Sequence, residues 1–318
     1  LKRDGTVIFY GKGADTMKKI RLTELAAELG CSVAAVSYAL NDRPGVSEKL
    51  RERVRELVRE RNYEPLRPRI AVLMTDAGLS LGFYMFSLLN SLRGEAKRRG
   101  HQLLIVSRND LSLLEDRMVS GALSLDFMHE IGRLFPKLKN MPLVCLNDLP
   151  NSLENVSTVH SDDEEGIRRA LDYLVDCGHR RIGLFCAASL SGDDRLKPFL
   201  AYRRFGTEVE LHAEPLEFHH KSTVSCRMEA MLERKVTALL VSGERYGMEA
   251  YGALARLGKR IPEDISVIGW ENAGFSEHQI PPMTSLEQDF RGIASAAFDM
   301  LEKKIRGEQT GNIFIPYK

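Results

Sequence analysis

Cysteine is scarce and scattered in this chain. The five in 318 residues, Cys31, Cys145, Cys177, Cys186 and Cys226, are odd in number and form no Cys-x-x-Cys. That excludes a disulfide-built scaffold or a zinc ribbon and predicts reduced, buried thiols in a cytoplasmic protein. Long apolar runs are also missing: no stretch approaches the roughly twenty residues needed to span a bilayer. The patch Val7 to Tyr10 is too short and too poorly flanked for a secretory segment. Gly11-Lys12-Gly13 is a poor phosphate loop, because the third glycine, a following Lys-Ser/Thr and a strand-helix frame are all lacking. Residues 1–16 read as a leader or a cloning remnant. Nor is there a catalytic constellation. His160, His179, His219 and His220 offer bases or ligands, yet His219 and His220 are adjacent and so face opposite ways on a strand or lie about 100° apart on a helix. No nucleophile-base-acid set and no metal spacing emerges, so the expectation is no enzyme, no metal and no cofactor.

What is present begins at Leu22 to Leu40, LTELAAELGCSVAAVSYAL. Leu22, Leu25, Ala26 and Leu29 fall at helical spacing, and Val36, Ala39 and Leu40 repeat it, so two short helices can share one small core. Gly30 stands where the first helix must end in a left-handed residue, and Ser32 can cap the second. This is the outline of a helix-turn-helix, a unit that lays its second helix in the DNA major groove; the plain alternative is a helical hairpin inside a larger domain. A third helix follows: Ser47 can cap SEKLRERVRELVRERNY, whose stripe is Val46, Leu50, Val54, Leu57 and Val58, and which Asn62 and Pro65 can stop.

The net charge of +1 conceals an uneven distribution. Residues 17–69 hold 12 Lys/Arg against 8 Asp/Glu, while residues 70–318 are net acidic. The basic part is the three-helix part, as a nucleic-acid contact requires, although solvated helix faces show similar excesses.

Beyond Arg69 the pattern changes. IAVLM from Ile70, QLLIV from Gln102, GALSL from Gly121, PLVCL from Pro142, RIGLF from Arg181, TALLV from Thr237 and DISVIG from Asp264 read as buried parallel strands. Helical segments separate most of them, notably Phe86 to Arg99, Glu164 to Cys177, Ser225 to Arg234, Gly247 to Leu257 and Asp289 to Arg306. The repeating β-α unit predicts parallel sheets with helices on both faces and ligands gathered beyond the C-terminal strand ends. That periodicity equally suits a dehydrogenase or a kinase.

The array Leu22, Val36-Ser37, Leu40-Asn41, Val46-Ser47 and Asn62-Tyr63-Glu64-Pro65 resembles the head of the lactose-repressor (LacI/GalR) family of bacterial transcription regulators. SDDEEGIRRALDYLVDCGHRRIGLF, IPEDISVIGWEN and IPPMTSLEQDF resemble that family's effector-domain segments. The resemblance implies an all-α helix-turn-helix head at 17–65, a linker at 66–69, and an α/β body of two periplasmic-binding-protein-like lobes at 70–318. It further implies a small effector, a sugar or sugar derivative, bound between lobes crossed by several strands, and a homodimer acting on double-stranded operator DNA without any membrane. A solute-binding protein or ligand sensor with the same body and little specific DNA binding is the alternative.

Carried over by position, the implied effector residues are Arg195, Glu271, Phe290, Tyr84, Asn147 and Glu244. An arginine suits a sugar hydroxyl or a carboxylate, a glutamate accepts from hydroxyls, and Phe290 offers an apolar wall or plain core packing. Ser242-Gly243-Glu244 departs from the family's frequent Ala-Asn-Asp and loses an amide partner, and the stretch between Asp110 and Gly121 is shorter than the usual helix-bearing crossover, which would leave the first lobe partly uncovered. His179 lies in a turn that the family carries structurally.

On the head the resemblance points Val33, Ala34 and Tyr38 outward as base readers, Tyr38 replacing a frequent arginine. These three allow thymine-methyl and hydroxyl contacts but no bidentate guanine contact. Ser32, Ser37, Asn41, Lys18 and Lys19 are the implied remaining DNA contacts, phosphate-positioning groups among them. The linker departs most: only Leu66, Arg67, Pro68 and Arg69 separate Pro65 from Ile70. Four residues reach roughly 14 Å at most, and the prolines bar the family's minor-groove hinge helix. The operator is therefore expected to be bound more weakly and bent less; a strongly kinked central step in footprinting would contradict this.

Overall fold

The computed structural model describes residues 22–40, 44–60, 68–75, 82–115, 119–125, 141–147, 156–187, 195–216, 224–270, 274 and 276–318. The chain divides into two compact units, Leu1–Leu66 and Arg67–Lys318.

In the first unit the apolar spacing becomes α1 (Leu22–Leu29), α2 (Val33–Leu40) and α3 (Glu48–Glu60). Gly30 closes α1 at φ +64°, the left-handed conformation expected of it. The Ser32 hydroxyl accepts from the Ala35 amide at 3.1 Å and the Ser47 hydroxyl from the Leu50 amide at 3.3 Å, so both predicted caps form. The core is small: Leu25, Ala26, Val36, Ala39, Val54 and Leu57. Replacing Ser32 with alanine is expected to cost about 1 kcal/mol of head stability. Faster amide exchange at Ala35 and Val36 would report it, and unchanged exchange there would count against the cap. Asn62 and Pro65 lie outside the described residues.

The second unit is built on two parallel sheets. One comprises β1 (Arg69–Leu73), β2 (Gln102–Val106), β3 (Val119–Ser124), β4 (Leu143–Leu146), β5 (Ser157–Ser161) and β11 (Ile313–Ile315), in the order β11-β5-β4-β3-β1-β2. The other comprises β6 (Arg181–Ala187), β7 (Glu210–Leu216), β8 (Ala238–Val241), β9 (Ser266–Trp270) and β10 (Thr284–Leu286), in the order β10-β9-β8-β6-β7. The described helices are α4 (Gly82–Arg98), α5 (Asp163–Asp176), α6 (Leu196–Ala201), α7 (Val224–Glu233), α8 (Glu244–Arg256) and α9 (Phe290–Ile305). α4 and α9 cover one face of the first sheet, and α5 and α6 one face of the second.

Several elements escaped the sequence reading. β5 reads as polar, STVHS, yet all five residues are buried because their hydroxyls find partners: Ser157 donates to the Thr310 carbonyl at 3.0 Å and Thr158 to that of Cys145 at 3.2 Å. β7 carries charges at a sheet edge, and β10 and β11 have three residues each, too few for a periodic signal. β1 begins at Arg69 rather than Ile70, and the Pro68 carbonyl already accepts from the Gln102 amide, so pairing reaches two residues into the expected linker. The short crossover after β2 holds a 3-10 helix, Arg108–Glu115, whose Leu111 and Leu114 pack on the sheet's second face. Cys145 and Cys186 are buried as expected, but Cys177 and Cys226 are exposed, because they fall at the end of α5 and on the solvent side of α7.

Three crossings join the lobes. The chain leaves the first sheet after Ser161, returns between β10 and α9, and crosses again after β11, setting Tyr317 in the second lobe's core. Crossings are tied to one another: the Asp162 amide donates to the Ile315 carbonyl at 2.8 Å and the Lys318 amide to that of Glu287 at 2.9 Å. Lys318 also pairs with Asp289 at 3.0 Å, the residue that caps α9 by accepting from the Gly292 amide. Burial opposes ionisation of Asp289, but the Gly292 amide and the Lys318 ammonium outweigh it and hold the carboxyl below its ordinary value. The stability it lends is therefore present above the ordinary carboxyl range and lost as pH falls through the lowered value.

Candidate effector site and DNA-binding face

Two polar clusters form at C-terminal strand ends, where an open α/β sheet collects ligands. In the first, Asn147 follows β4 in a left-handed conformation, φ 49°. Its amide nitrogen donates to the Tyr84 hydroxyl and to Gln288 Oε1, both at 2.8 Å. Its Oδ1 accepts from the Ser161 amide at 2.9 Å, and the Ser161 hydroxyl donates to Gln288 Oε1 at 3.0 Å. Tyr84 and Asn147, expected separately from sequence, are thus brought together over two crossings. Phe290 meets the Tyr84 ring edge-on at 5.6 Å and packs on the first lobe's core, so its packing role is visible directly.

The second cluster centres on Arg195, at the residue preceding α6. Its Nε donates to Asp163 Oδ1 at 3.3 Å, one Nη to the Ser242 hydroxyl, and its guanidinium lies 5.2 Å over the Trp270 ring. Each partner is placed by an element end: Asp163 opens α5, Ser242 follows β8, and Trp270 ends β9. Gly243 takes φ 98° at the start of α8, which lets the chain turn directly after Ser242. Ser242 thereby engages the arginine. Trp270 Nε1 donates to the Tyr317 hydroxyl at 2.8 Å, and that hydroxyl donates to Asp163 Oδ1 at 2.5 Å. The packing here tolerates no Cβ at Gly166, which would sit 2.7 Å from the Tyr317 ring and 3.1 Å from that of Trp270.

Glu271, directly after Trp270, lies outside the described residues, and of Glu244 only the backbone, as the first residue of α8, is described. The residues that sequence reasoning missed are Ser161, Asp163, Ser242, Trp270, Gln288 and Tyr317. Ser242 and Trp270 directly follow the predicted strands TALLV and DISVIG, so the strand-end rule could have found them. His179 bridges the hydroxyls of Thr237 and Ser266 at 2.9 Å each, and burial, followed by the neighbouring Arg180 charge, pushes its pKa down. His160 is buried, with Nδ1 on the Ser161 carbonyl. His219 and His220 lie outside the described residues.

On the head, α2 separates cleanly into two faces. Val36 and Ala39 are buried, whereas Ser32, Val33, Ala34 and Tyr38 are exposed and Ser37 is half-buried. The outward residues share the side of the helix opposite the core, with Ser32, Val33 and Ala34 at its N-terminal end and Tyr38 about one turn further on. Lys18, Lys19 and Asn41 lie outside the described residues.

Residues 21–65 match the family of bacterial regulatory proteins of the lacI type, and residues 171–316 match a periplasmic binding protein-like domain. The chain belongs to the LacI family. Among relatives of this LacI-family chain, the transcriptional repressor PurR of Haemophilus influenzae is 24% identical, covering 91% of this chain and 92% of its own. That of Vibrio vulnificus is 26% identical over the same shares. The fold matches the lac repressor dimer bound to operator and the anti-inducer ONPF, with a TM-score of 0.72 at 24% identity over 95% and 97% of the two chains. It also matches the regulator CelR in complex with cellobiose, with a TM-score of 0.66 at 24% identity over 94% and 98%. This LacI-family protein therefore has a helix-turn-helix head and a two-lobed, periplasmic-binding-protein-like body, and its relatives are repressors. Among the described residues, no helix is long and apolar enough to cross a membrane.

Proposed function

We propose that the protein is a cytoplasmic repressor without enzymatic activity, whose affinity for operator DNA changes when a sugar or sugar derivative binds between its lobes. Residues 17–65 serve as the head, 66–69 as a short linker and 70–318 as the effector-binding and dimerisation domain. The observation that carries this reading is the Arg195 cluster: a guanidinium held at strand ends among a carboxylate, a hydroxyl and an indole face. That set matches a ligand with hydroxyls and an apolar ring face, since a guanidinium donates in a fixed fork and an indole covers C–H surface. Arg195, Tyr84, Asn147, Glu244 and Glu271 are its proposed polar contacts and Phe290 its wall; in sequence Glu244 stands two residues after Ser242 and Glu271 directly after Trp270. Structural neighbours bound to cellobiose and to lactose support a saccharide.

Operator reading falls to Val33, Ala34 and Tyr38, with Ser32, Ser37, Asn41, Lys18 and Lys19 positioning the head. A second copy of the chain is proposed to dock on the first lobe, where Phe86 and Ile105 are exposed along a groove of 810 Å³ between α4 and β2. Two recognition helices would then meet half-sites about 34 Å apart or a multiple.

A thermal-shift screen of mono- and disaccharides, cellobiose and lactose among them, tests the effector class. A concentration-dependent rise in melting temperature with at least one saccharide is expected, since a ligand that binds only the native state stabilises it by mass action. A flat response to the whole panel would remove the sugar reading.

A further inference from the structure

We propose that Asp163 and Tyr317 form a latch that couples occupancy of the Arg195 clamp to the last crossing between the lobes. What fills the clamp rests on the effector reading above; the latch itself is a property of the chain.

One oxygen stands at its centre. Asp163 Oδ1 accepts from Arg195 Nε at 3.3 Å and from the Tyr317 hydroxyl at 2.5 Å, with the Asp163 side chain only 8% exposed. Two donors therefore share one carboxylate oxygen in a place that water barely reaches. Hydrogen bonds to an ionised group are the strong ones, so a donor withdrawn from one side leaves the carboxylate to the other. An effector that draws the guanidinium toward its own hydroxyls shifts Asp163 onto Tyr317.

Tyr317 cannot absorb that shift alone. Its hydroxyl accepts from Trp270 Nε1 at 2.8 Å, its ring packs edge-on against Trp270 at 5.1 Å, and α5 approaches so closely that Gly166 has no room for a Cβ. The adjoining Lys318 is bonded to Glu287 through both backbone groups and through its ammonium to Asp289, the cap of α9 in the first lobe. Asp163 itself follows the first crossing by one residue, and Asp162 bonds to Ile315 on the third. A pull on the Tyr317 hydroxyl thus reaches all three crossings, by a route that does not use a hinge helix.

Hydrogen exchange on the full chain tests the latch with no ligand present. The variant R195Q imitates a clamp whose guanidinium is engaged elsewhere. It is expected to raise protection of the Asp162 and Lys318 amides by about threefold or more, since local opening energies set exchange rates. Y317F is expected to lower that protection and, in R195Q/Y317F, to abolish the response to R195Q, the signature of coupled residues in a double-mutant cycle. Equal protection in wild type and R195Q, or a response surviving in the double variant, overturns the proposal. R195M, similar in reach but without a donor, gives the same comparison should R195Q not fold. If exchange responds but no saccharide binds, the latch stands and the effector reading falls; the reverse pair of results has the opposite meaning.

Discussion

Truncating Leu25 to alanine is expected to unfold the head while leaving the body's thermal transition in place. Leu25 is fully buried in a core of six side chains drawn from three short helices. Removing a buried leucine costs about 2–5 kcal/mol, because the lost transfer energy is joined by a cavity that so small a structure cannot fill. A unit of this size is stable by only a few kcal/mol at best. Calorimetry of the variant should show the lower transition missing and the body's transition retained, and affinity for any duplex should fall by about a hundredfold or more through loss of the folded recognition helix. Two intact transitions would mean that the head draws its stability from elsewhere.

Replacing Arg195 with glutamine is expected to have the largest effect on the body's function. The guanidinium meets a carboxylate, a hydroxyl and an indole face, and its side chain is 19% exposed. Charge-assisted hydrogen bonds contribute about 1.5–3 kcal/mol, so affinity for a saccharide that stabilises the wild type should drop about 10- to 150-fold. Tryptophan fluorescence reads it cleanly, since Trp270 is the only tryptophan and lies under the guanidinium. Unaltered affinity would place the effector away from this cluster.

Most of the architecture was legible because its causes are local. Helical spacing and hydroxyl caps define α1 to α3, and unbroken apolar runs such as IAVLM and RIGLF mark strands buried on both faces. β5 was hidden because its burial depends on hydroxyl partners that sit far away in sequence, Thr310 for Ser157 among them. The site divides in the same way. Arg195, Tyr84 and Asn147 could be named only through the family resemblance, whereas Asp163, Gln288 and Tyr317 meet their partners at crossings. Tyr317 meets Asp163 across 154 positions and Gln288 meets Asn147 across 141, separations that no spacing rule covers. Phe290, anticipated as a pocket wall or as core packing, shows the packing contact.

Coupling between effector and DNA across the proposed linker at 66–69 is the central claim. The measurement that tests it most directly is fluorescence anisotropy of the full chain on a duplex enriched from a random library, with and without a saturating saccharide identified by thermal shift. The account predicts an enriched palindromic pair of half-sites and an operator affinity that changes by about fivefold or more with the saccharide, the lower range of allosteric coupling energies. Failure to enrich any sequence, or identical affinities in the two conditions, would contradict it.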